Sequence, residues 1–306
     1  MSRRPRPQHL EDRTVQQFID AAPGVRLWTE QRGAADAAPL LLVMGAQASG
    51  LGWPEPLVDA LAAHHRVVRY DHRDTGRSTW SFEERPYRIA DLADDVIAVL
   101  DGLGIDRAHI VGMSLGGMLA QMVLADHPDR LLSATLIGTM ALSTTHCTRP
   151  DGSTLPADAL PGISPEVLEL WSRPVEDHGP AAEVERRIEH WRVVAGDRLP
   201  FDDDYFRAFE HRVIAHTGHH RVSTAHDRAE HDGMLRTDRL ARNEVPTLVV
   251  SATADPVFPP PHSRHLAQCV RGAQLVEIQG MGHALPPAVH APLATAILGR
   301  TGAVTG

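Results

Sequence analysis

The chain has 306 residues, 42% of them hydrophobic and 23% charged, the profile of a soluble globular protein with enough apolar material for a large core. Its formal net charge of −9 argues against nucleic acid or an anionic membrane as a partner, since both need a basic face. No stretch approaches the roughly 18 consecutive apolar residues that would span a bilayer, and the basic start Arg3-Arg4-Pro5-Arg6 lacks the apolar core of a signal peptide.

The polar, proline-punctuated first 14 residues or so are expected to be a tail. Gln16 to Asp20 and Val25 to Gln31 read as short strands around the turn Ala22-Pro23-Gly24. Leu40 to Met44 is a continuous apolar run bounded by Pro39 and Gly45, as a strand buried on both faces should be. A helix is predicted from Pro54 to Ala63, then a strand from Arg66 to Tyr70 and the polar turn Asp71 to Ser78. From Ile89 to Leu103 the apolar residues Leu92, Val96, Val99 and Leu100 keep helical spacing, with Asp91, Asp94 and Asp95 assigned to the outer face. A strand at 109–112 leads into a helical stretch from Leu115 to Leu124, and Leu131 to Gly138 is one more buried strand.

This alternation predicts an α/β architecture: a mostly parallel central sheet with helices on both faces, joined by right-handed crossovers. It breaks after about residue 140. Residues 141–237 hold no apolar strand runs but several helical stretches, 165–171, 181–194 and 203–215, and read as a helical cap inserted after the sixth strand. Segments 1–140 and 238–306 then form the two parts of one core. In the second part a strand is expected at 247–251, a helix at 262–269, a strand at 274–278 and a last helix at 289–298. Cys147 and Cys269 are the only cysteines, and neither has CxxC or metal-ligand spacing, so a reducing, cytoplasmic setting is expected. Spacing alone leaves a disulfide between them open.

The chemistry centres on Gly112-Met113-Ser114-Leu115-Gly116, a serine at the apex of a strand–turn–helix. Glycines flank it because the backbone is strained there and side chains would strike the strand or helix. In an open parallel sheet functional groups gather at the carboxyl ends of strands. Asp255 follows the 247–251 strand and His283 the 274–278 strand, giving the order Ser…Asp…His. Serine is a weak nucleophile near neutral pH and needs a base, and the base needs a carboxylate to fix its tautomer. The candidate catalytic set is therefore Ser114, His283 and Asp255, with no metal and no cofactor. The oxyanion donors would be the backbone amides of Leu115 and of the turn Met44-Gly45-Ala46-Gln47, with Ala46 favoured over Gly45. Gln47, Met113, Trp171 and Trp191 are the candidate substrate-pocket residues.

Several stretches resemble the aclacinomycin methylesterase group of α/β-hydrolases in anthracycline biosynthesis. They are Leu40 to Gly45, Leu51-Gly52-Trp53-Pro54, Tyr70 to Ser78, Val99 to Gly102, Gly280 to Pro286 and, in the cap, Trp191-Arg192 and Pro200 to Asp203. The resemblance implies hydrolysis of a carbomethoxy ester on a tetracyclic polyketide. It places the nucleophile, acid and base on Ser114, Asp255 and His283, and the oxyanion amides on Ala46 and Leu115. Two positions depart from the pattern: Ala46 stands where the group has glycine, and Leu115 where it has methionine. The cap segment Gly218 to His226 is also more polar than an anthracycline pocket calls for. The same triad would serve a carbon–carbon hydrolase or lactonase, and the same scaffold a non-hydrolytic cyclase or ligand-binding protein. Epoxide hydrolases and haloalkane dehalogenases are disfavoured, because they need a carboxylate where Ser114 stands. The expected partner is a small-molecule ester, and the sequence is silent on oligomeric state.

Other signals read as structural. The acids and arginines of Asp71 to Ser78 are expected to bond one another and hold their loop. His211, His216, His219, His220 and His226 lack any zinc motif, and Gly102 and Gly104 open no dinucleotide fingerprint because Arg107 stands at the third position.

Overall fold

The computed structural model describes residues 14–142, 146–148, 153–156, 160–174 and 176–302, without the side chains of 146–148 and 154–156. Residues 1–13, most of the predicted tail, lie outside that set. Strands β1 (Val15–Ala22) and β2 (Val25–Arg32) form a hairpin, followed by β3 (Pro39–Val43), α1 (Glu55–Ala62), β4 (Arg66–Tyr70) and α2 (Ile89–Gly102). Next come β5 (Ala108–Met113), α3 (Leu115–Asp126) and β6 (Leu131–Ile137). Eight strands make one sheet, in the order β1-β2-β4-β3-β5-β6-β9-β10, closed by β9 (Thr247–Ala252) and β10 (Gln274–Ile278). Pairings β1/β2 and β2/β4 are antiparallel, and every other pairing is parallel.

Strand alternation sorts the core. Leu40, Leu42, Val67, Val111 and Val250 face α1 and α10 (Pro287–Thr301), while Leu41, Val43, Val68, Ile110 and Val249 face α2 and α3. Both faces are covered, which is why the central strands read as unbroken apolar runs. From β3 the chain steps outward to β4, then returns across β3 to β5. The loops leaving β3 and β5 therefore diverge at their carboxyl ends and open the crevice in which such folds place their ligands.

The segment after β6 carries α4 (Pro165–Ser172), α5 (Pro180–Val194) and α6 (Asp203–Thr217) as an inserted helical region. It also contains a two-stranded antiparallel pair that the sequence reading lacked, β7 (His146–Thr148) and β8 (Thr154–Pro156). These three-residue strands, His-Cys-Thr and Thr-Leu-Pro, have no apolar run to announce them. Two short helices follow, α7 (Ala225–Arg228) and α8 (Thr237–Leu240), and α9 (Pro260–Cys269) lies between β9 and β10. Ala225, Ala229 and Met234 bury themselves in the same apolar cluster as α2 and α3.

One helix-surface assignment was wrong. Asp95 is buried and accepts from Nε and Nη2 of the Arg73 guanidinium at 2.6 Å each; a partner 22 residues earlier in the chain, outside the helix, explains a carboxylate there. Cys269 is buried and disulfide-bonded, while the side chain of Cys147 lies outside the described residues. The bond removes the cysteine argument for a reducing setting. Among the described residues no helix is long and apolar enough to cross a membrane.

Candidate active site

Ser114 sits between β5 and α3 with φ 55° and ψ −122°, a conformation that costs a side-chain-bearing residue about 1–3 kcal/mol. Its surroundings hold it there. The Ser114 amide donates to the Ile137 carbonyl at 3.0 Å, and its own carbonyl accepts from Gly117 N–H at 2.9 Å and from the Thr139 hydroxyl at 2.9 Å. A methyl group on Gly112 would overlap the Gly116 carbonyl, and one on Gly116 would overlap the carbonyl of Val43. The strand and helix can pack this closely only because both flanking residues are glycine.

His283 Nε2 lies 2.9 Å from Ser114 Oγ, and its Nδ1 lies 2.8 Å from Asp255 Oδ2. The other carboxylate oxygen, Oδ1, accepts the amides of Val257 at 2.8 Å and Phe258 at 2.9 Å. The Asp255 side chain is fully buried and that of His283 is 12% exposed. With the carboxylate opposite Nδ1, the imidazole carries its proton there and turns the Nε2 lone pair to the serine hydroxyl. Three residues far apart in sequence thus form one hydrogen-bonded chain at the carboxyl ends of β5, β9 and β10.

The turn after β3 passes beside Ser114. Ala46 is exposed there, and its amide donates to no group among the described residues. Leu115 is the first residue of α3, where amides have no intrahelical acceptor. Both N–H groups are thus available to an oxygen near Ser114 Oγ, and the helix dipole adds positive potential at Leu115.

The pocket candidates separate. Gln47 adopts φ 59°, and its amide donates to His226 Nδ1 at 2.9 Å while its side chain bonds Asp227. Met113 is buried in the cluster under the turn with Met44, Val111 and Ile137. Trp191 packs in the aromatic cluster of the inserted helices: it stacks on Phe206 at 5.6 Å and donates to Glu210 at 2.5 Å. Trp171 is 47% exposed and stacks on His190 at 6.3 Å.

His190 itself escaped the sequence reading. Its pKa is pushed down to about 4 by burial, with Arg186 and His283 adding repulsion, which places an imidazole of α5 near the candidate base. His72 and His226 were missed as well. His72 Nε2 donates to the Met44 carbonyl at 2.9 Å, and His226 Nε2 donates to the Arg73 carbonyl at 3.0 Å. Burial lowers the pKa of His72 and takes that of His226 down to about 3, with His72 contributing repulsion. In a chain with 19 histidines, nothing in the local sequence singles these out.

The 71–78 loop is held differently from expectation. Asp71 accepts from Ser49 Oγ at 2.5 Å and from the amides of Gly50 and Arg77 at 2.8 Å, and pairs with His216 of α6 at 2.7 Å. Arg73 leaves the loop for Asp95, and Asp74 accepts the amides of Ser81 and Phe82. The histidines of the inserted segment are dispersed: His216 on Asp71, His220 on Asp177, His226 under Gln47, and His219 against Trp80. Among the described residues no group of three or more His, Cys, Asp or Glu is placed to hold a metal ion.

Residues 38–286 match the family model described as alpha/beta hydrolase fold. The chain is 41% identical over 287 residues to rhodomycin D methylesterase DauP of Streptomyces sp. (strain C5), an alignment covering 92% of this chain and 96% of that protein. Rhodomycin D methylesterase DnrP of Streptomyces peucetius is also 41% identical, over 291 residues, with the same coverage of 92% and 96%. Among solved structures, a hydrolase from Pseudomonas aeruginosa PA01 superposes with a TM-score of 0.67 at 25% identity, covering 94% of this chain and 98% of that one. The sheet order, the serine turn and these relatives agree: the chain belongs to the alpha/beta hydrolase fold family, alongside the rhodomycin D methylesterases.

Proposed function

We propose that the protein is a serine esterase that removes methanol from the carbomethoxy ester of an anthracycline-like polyketide. The observation that carries this reading is the unbroken hydrogen-bonded chain Ser114–His283–Asp255, in a protein 41% identical to rhodomycin D methylesterases. His283 Nε2 takes the hydroxyl proton as Ser114 Oγ attacks the ester carbonyl carbon. The carbonyl oxygen becomes an oxyanion that accepts from the amides of Ala46 and Leu115. As the tetrahedral intermediate collapses, the C–OCH₃ bond breaks and His283 returns its proton to the leaving oxygen, releasing methanol. Water then attacks the acyl-enzyme, losing a proton to His283. Collapse frees the carboxylic acid and restores the Ser114 hydroxyl. Asp255 keeps the imidazole in the productive tautomer and stabilises the imidazolium throughout.

In this reading residues 141–237 are a helical cap between core segments 1–140 and 238–306, and they enclose the multi-ring body of the substrate. Burying that body supplies the binding energy that positions the ester carbonyl. Trp171 and His190 are the cap residues that meet it, while Trp191 and Met113 shape the wall from behind. The test is methanol release and product mass with rhodomycin D and related polycyclic methyl esters, set against simple acetates. Turnover of acetates with none of any polycyclic methyl ester defeats the substrate assignment and leaves the chemistry standing. Intact-mass detection of an acyl adduct on Ser114 separates hydrolysis from a ligand-binding or cyclase role on the same scaffold.

A further inference from the structure

The turn that offers the Ala46 amide is only four residues long, and both of its ends are gripped by imidazoles. At one end His72, from the loop after β4, donates Nε2–H to the Met44 carbonyl at 2.9 Å. At the other, the Gln47 amide donates to His226 Nδ1 at 2.9 Å. His226 comes from α7 in the inserted segment, 179 residues further along the chain. The two rings touch edge-to-face, with centroids 5.6 Å apart, and Tyr87 flanks His226 at 6.3 Å.

The bonding pattern fixes the chemistry of His226. Its Nδ1 faces an N–H and must accept; its Nε2 faces the Arg73 carbonyl and must donate. Only the neutral ring with hydrogen on Nε2 satisfies both contacts. An imidazolium would set N–H against N–H, and the other tautomer would leave both contacts repulsive. The grip also holds strain, because Gln47 is not glycine yet has φ 59°, a conformation that relaxes unless its surroundings enforce it. A second hold, from Asp227 to the Gln47 side chain, comes from the neighbouring residue of α7.

We propose that His226 and His72 are positioning residues for the oxyanion turn: they clamp Gln47 and Met44 so that the Ala46 amide points at the oxygen on Ser114-bound intermediates. Neither ring touches the reacting atoms. The role rests on the esterase reading, in which Ala46 is an oxyanion donor. It gives the inserted segment a part in transition-state stabilisation as well as in substrate selection, because α7 supplies one jaw of the clamp.

The test compares His226→Phe, which keeps a ring of similar bulk but no acceptor, with His226→Asn, whose Oδ1 can accept the Gln47 amide. Turnover of p-nitrophenyl butyrate and the Ki of butylboronic acid, which forms a tetrahedral adduct on serine, are measured for each. His226→Phe is expected to lose kcat by on the order of 10- to 100-fold at nearly constant KM, because a misplaced donor matters chiefly in the transition state. Boronate affinity should fall by a matching factor, and His226→Asn should recover most of both losses. A merely structural role would lower Tm and leave kcat and boronate affinity in place, which overturns the inference. Because His226→Phe has the added risk of not folding, the wild-type enzyme provides an independent measurement, the imidazole ¹⁵N spectrum. A single Nε2–H tautomer for His226, perturbed when boronate binds, supports the clamp; an Nδ1–H tautomer refutes it. A wild-type protein that cleaves neither this ester nor any polycyclic methyl ester and does not bind boronate defeats the esterase reading, and this inference with it. Wild-type activity unaltered in a folded His226→Phe defeats this inference alone.

Discussion

The backbone N–H of His283 donates to the carbonyl of Val194 at 2.7 Å, tying the candidate base to the last residue of α5. The neighbouring glycine makes that approach possible, since a methyl group on Gly282 would overlap the Ala195 carbonyl oxygen. Gly282→Ala should therefore push the His283 loop off α5 and move Nε2 away from Ser114. Turnover is expected to fall by about 100-fold, the scale of an ångström-sized misplacement. Labelling of Ser114 by a fluorophosphonate should slow in parallel. Unchanged labelling in Gly282→Ala would show that α5 does not hold the base in place.

Ser114→Ala, His283→Ala and Asp255→Asn should each reduce turnover by on the order of 10⁴. The losses should not multiply in the double variants, because the three groups act as one unit. Far-UV circular dichroism checks that each variant is folded. Near-full activity in Ser114→Ala would remove the serine mechanism.

The two tryptophans of the inserted helices, Trp171 and Trp191, should behave differently. Trp171 is half exposed and leans on His190, so Trp171→Ala should shift stability by less than about 0.5 kcal/mol and lower kcat/KM for polycyclic esters while sparing small ones. Trp191 is stacked on Phe206 and bonded to Glu210, so Trp191→Ala should cost about 3 kcal/mol of stability. Urea unfolding and a two-substrate assay read the two effects. Equal losses on small and bulky esters in Trp171→Ala would exclude it from the pocket.

Asp95→Ala should be among the more damaging single changes outside the serine site. It leaves the Arg73 guanidinium, now bonded twice to that carboxylate, without its partner in a mostly buried place. Stripping one member from such a pair costs about 3–5 kcal/mol. Chemical denaturation of the variant measures it, and a loss below about 1 kcal/mol would mean that water reaches Arg73 freely.

Stability should decline in mild acid. The folded chain keeps His226 neutral down to about pH 3, whereas the ordinary histidine value is 6.5. Between those limits the unfolded chain binds the extra proton, so this contribution is complete above about pH 6.5 and is lost as pH falls toward 3. The slope from one such group is about 1.4 kcal/mol per pH unit. His65, His72 and His109 are shifted in the same direction, which steepens the decline. Urea midpoints at pH 7, 6 and 5 should fall progressively, and less so in His226→Asn. A midpoint independent of pH would contradict the burial of these rings as neutral species.

Much of this was legible in the sequence because the signals were local. Leu40 to Met44 and Leu131 to Gly138 announce buried strands by composition alone, and Ser114, Asp255 and His283 each follow a strand with small or turn-forming neighbours. The helices of the insert were found from their spacing. What stayed hidden depends on partners distant in the chain. Asp95 reads as a surface charge until Arg73 folds over it. Gln47 reads as a pocket side chain until α7 arrives to bind it. His72, His190 and His226 acquire their roles only from what the fold stacks against them, and β7 and β8 are too short and polar to carry a periodicity.

The attachments of the insert bear on how new specificities could arise in this protein. Its Val194 carbonyl anchors the His283 loop, Ser164 N–H bonds the Pro256 carbonyl beside Asp255 at 2.8 Å, and His226 sits beneath Gln47. Exchanging the whole segment for that of another hydrolase would therefore swap catalytic supports along with the walls of the pocket. A chimera made this way should bind a new substrate and turn it over poorly. Diversification is better served by changing single side chains, such as Trp171, that project from the insert without holding the serine site together, and a laboratory library would do well to leave the three anchor points untouched.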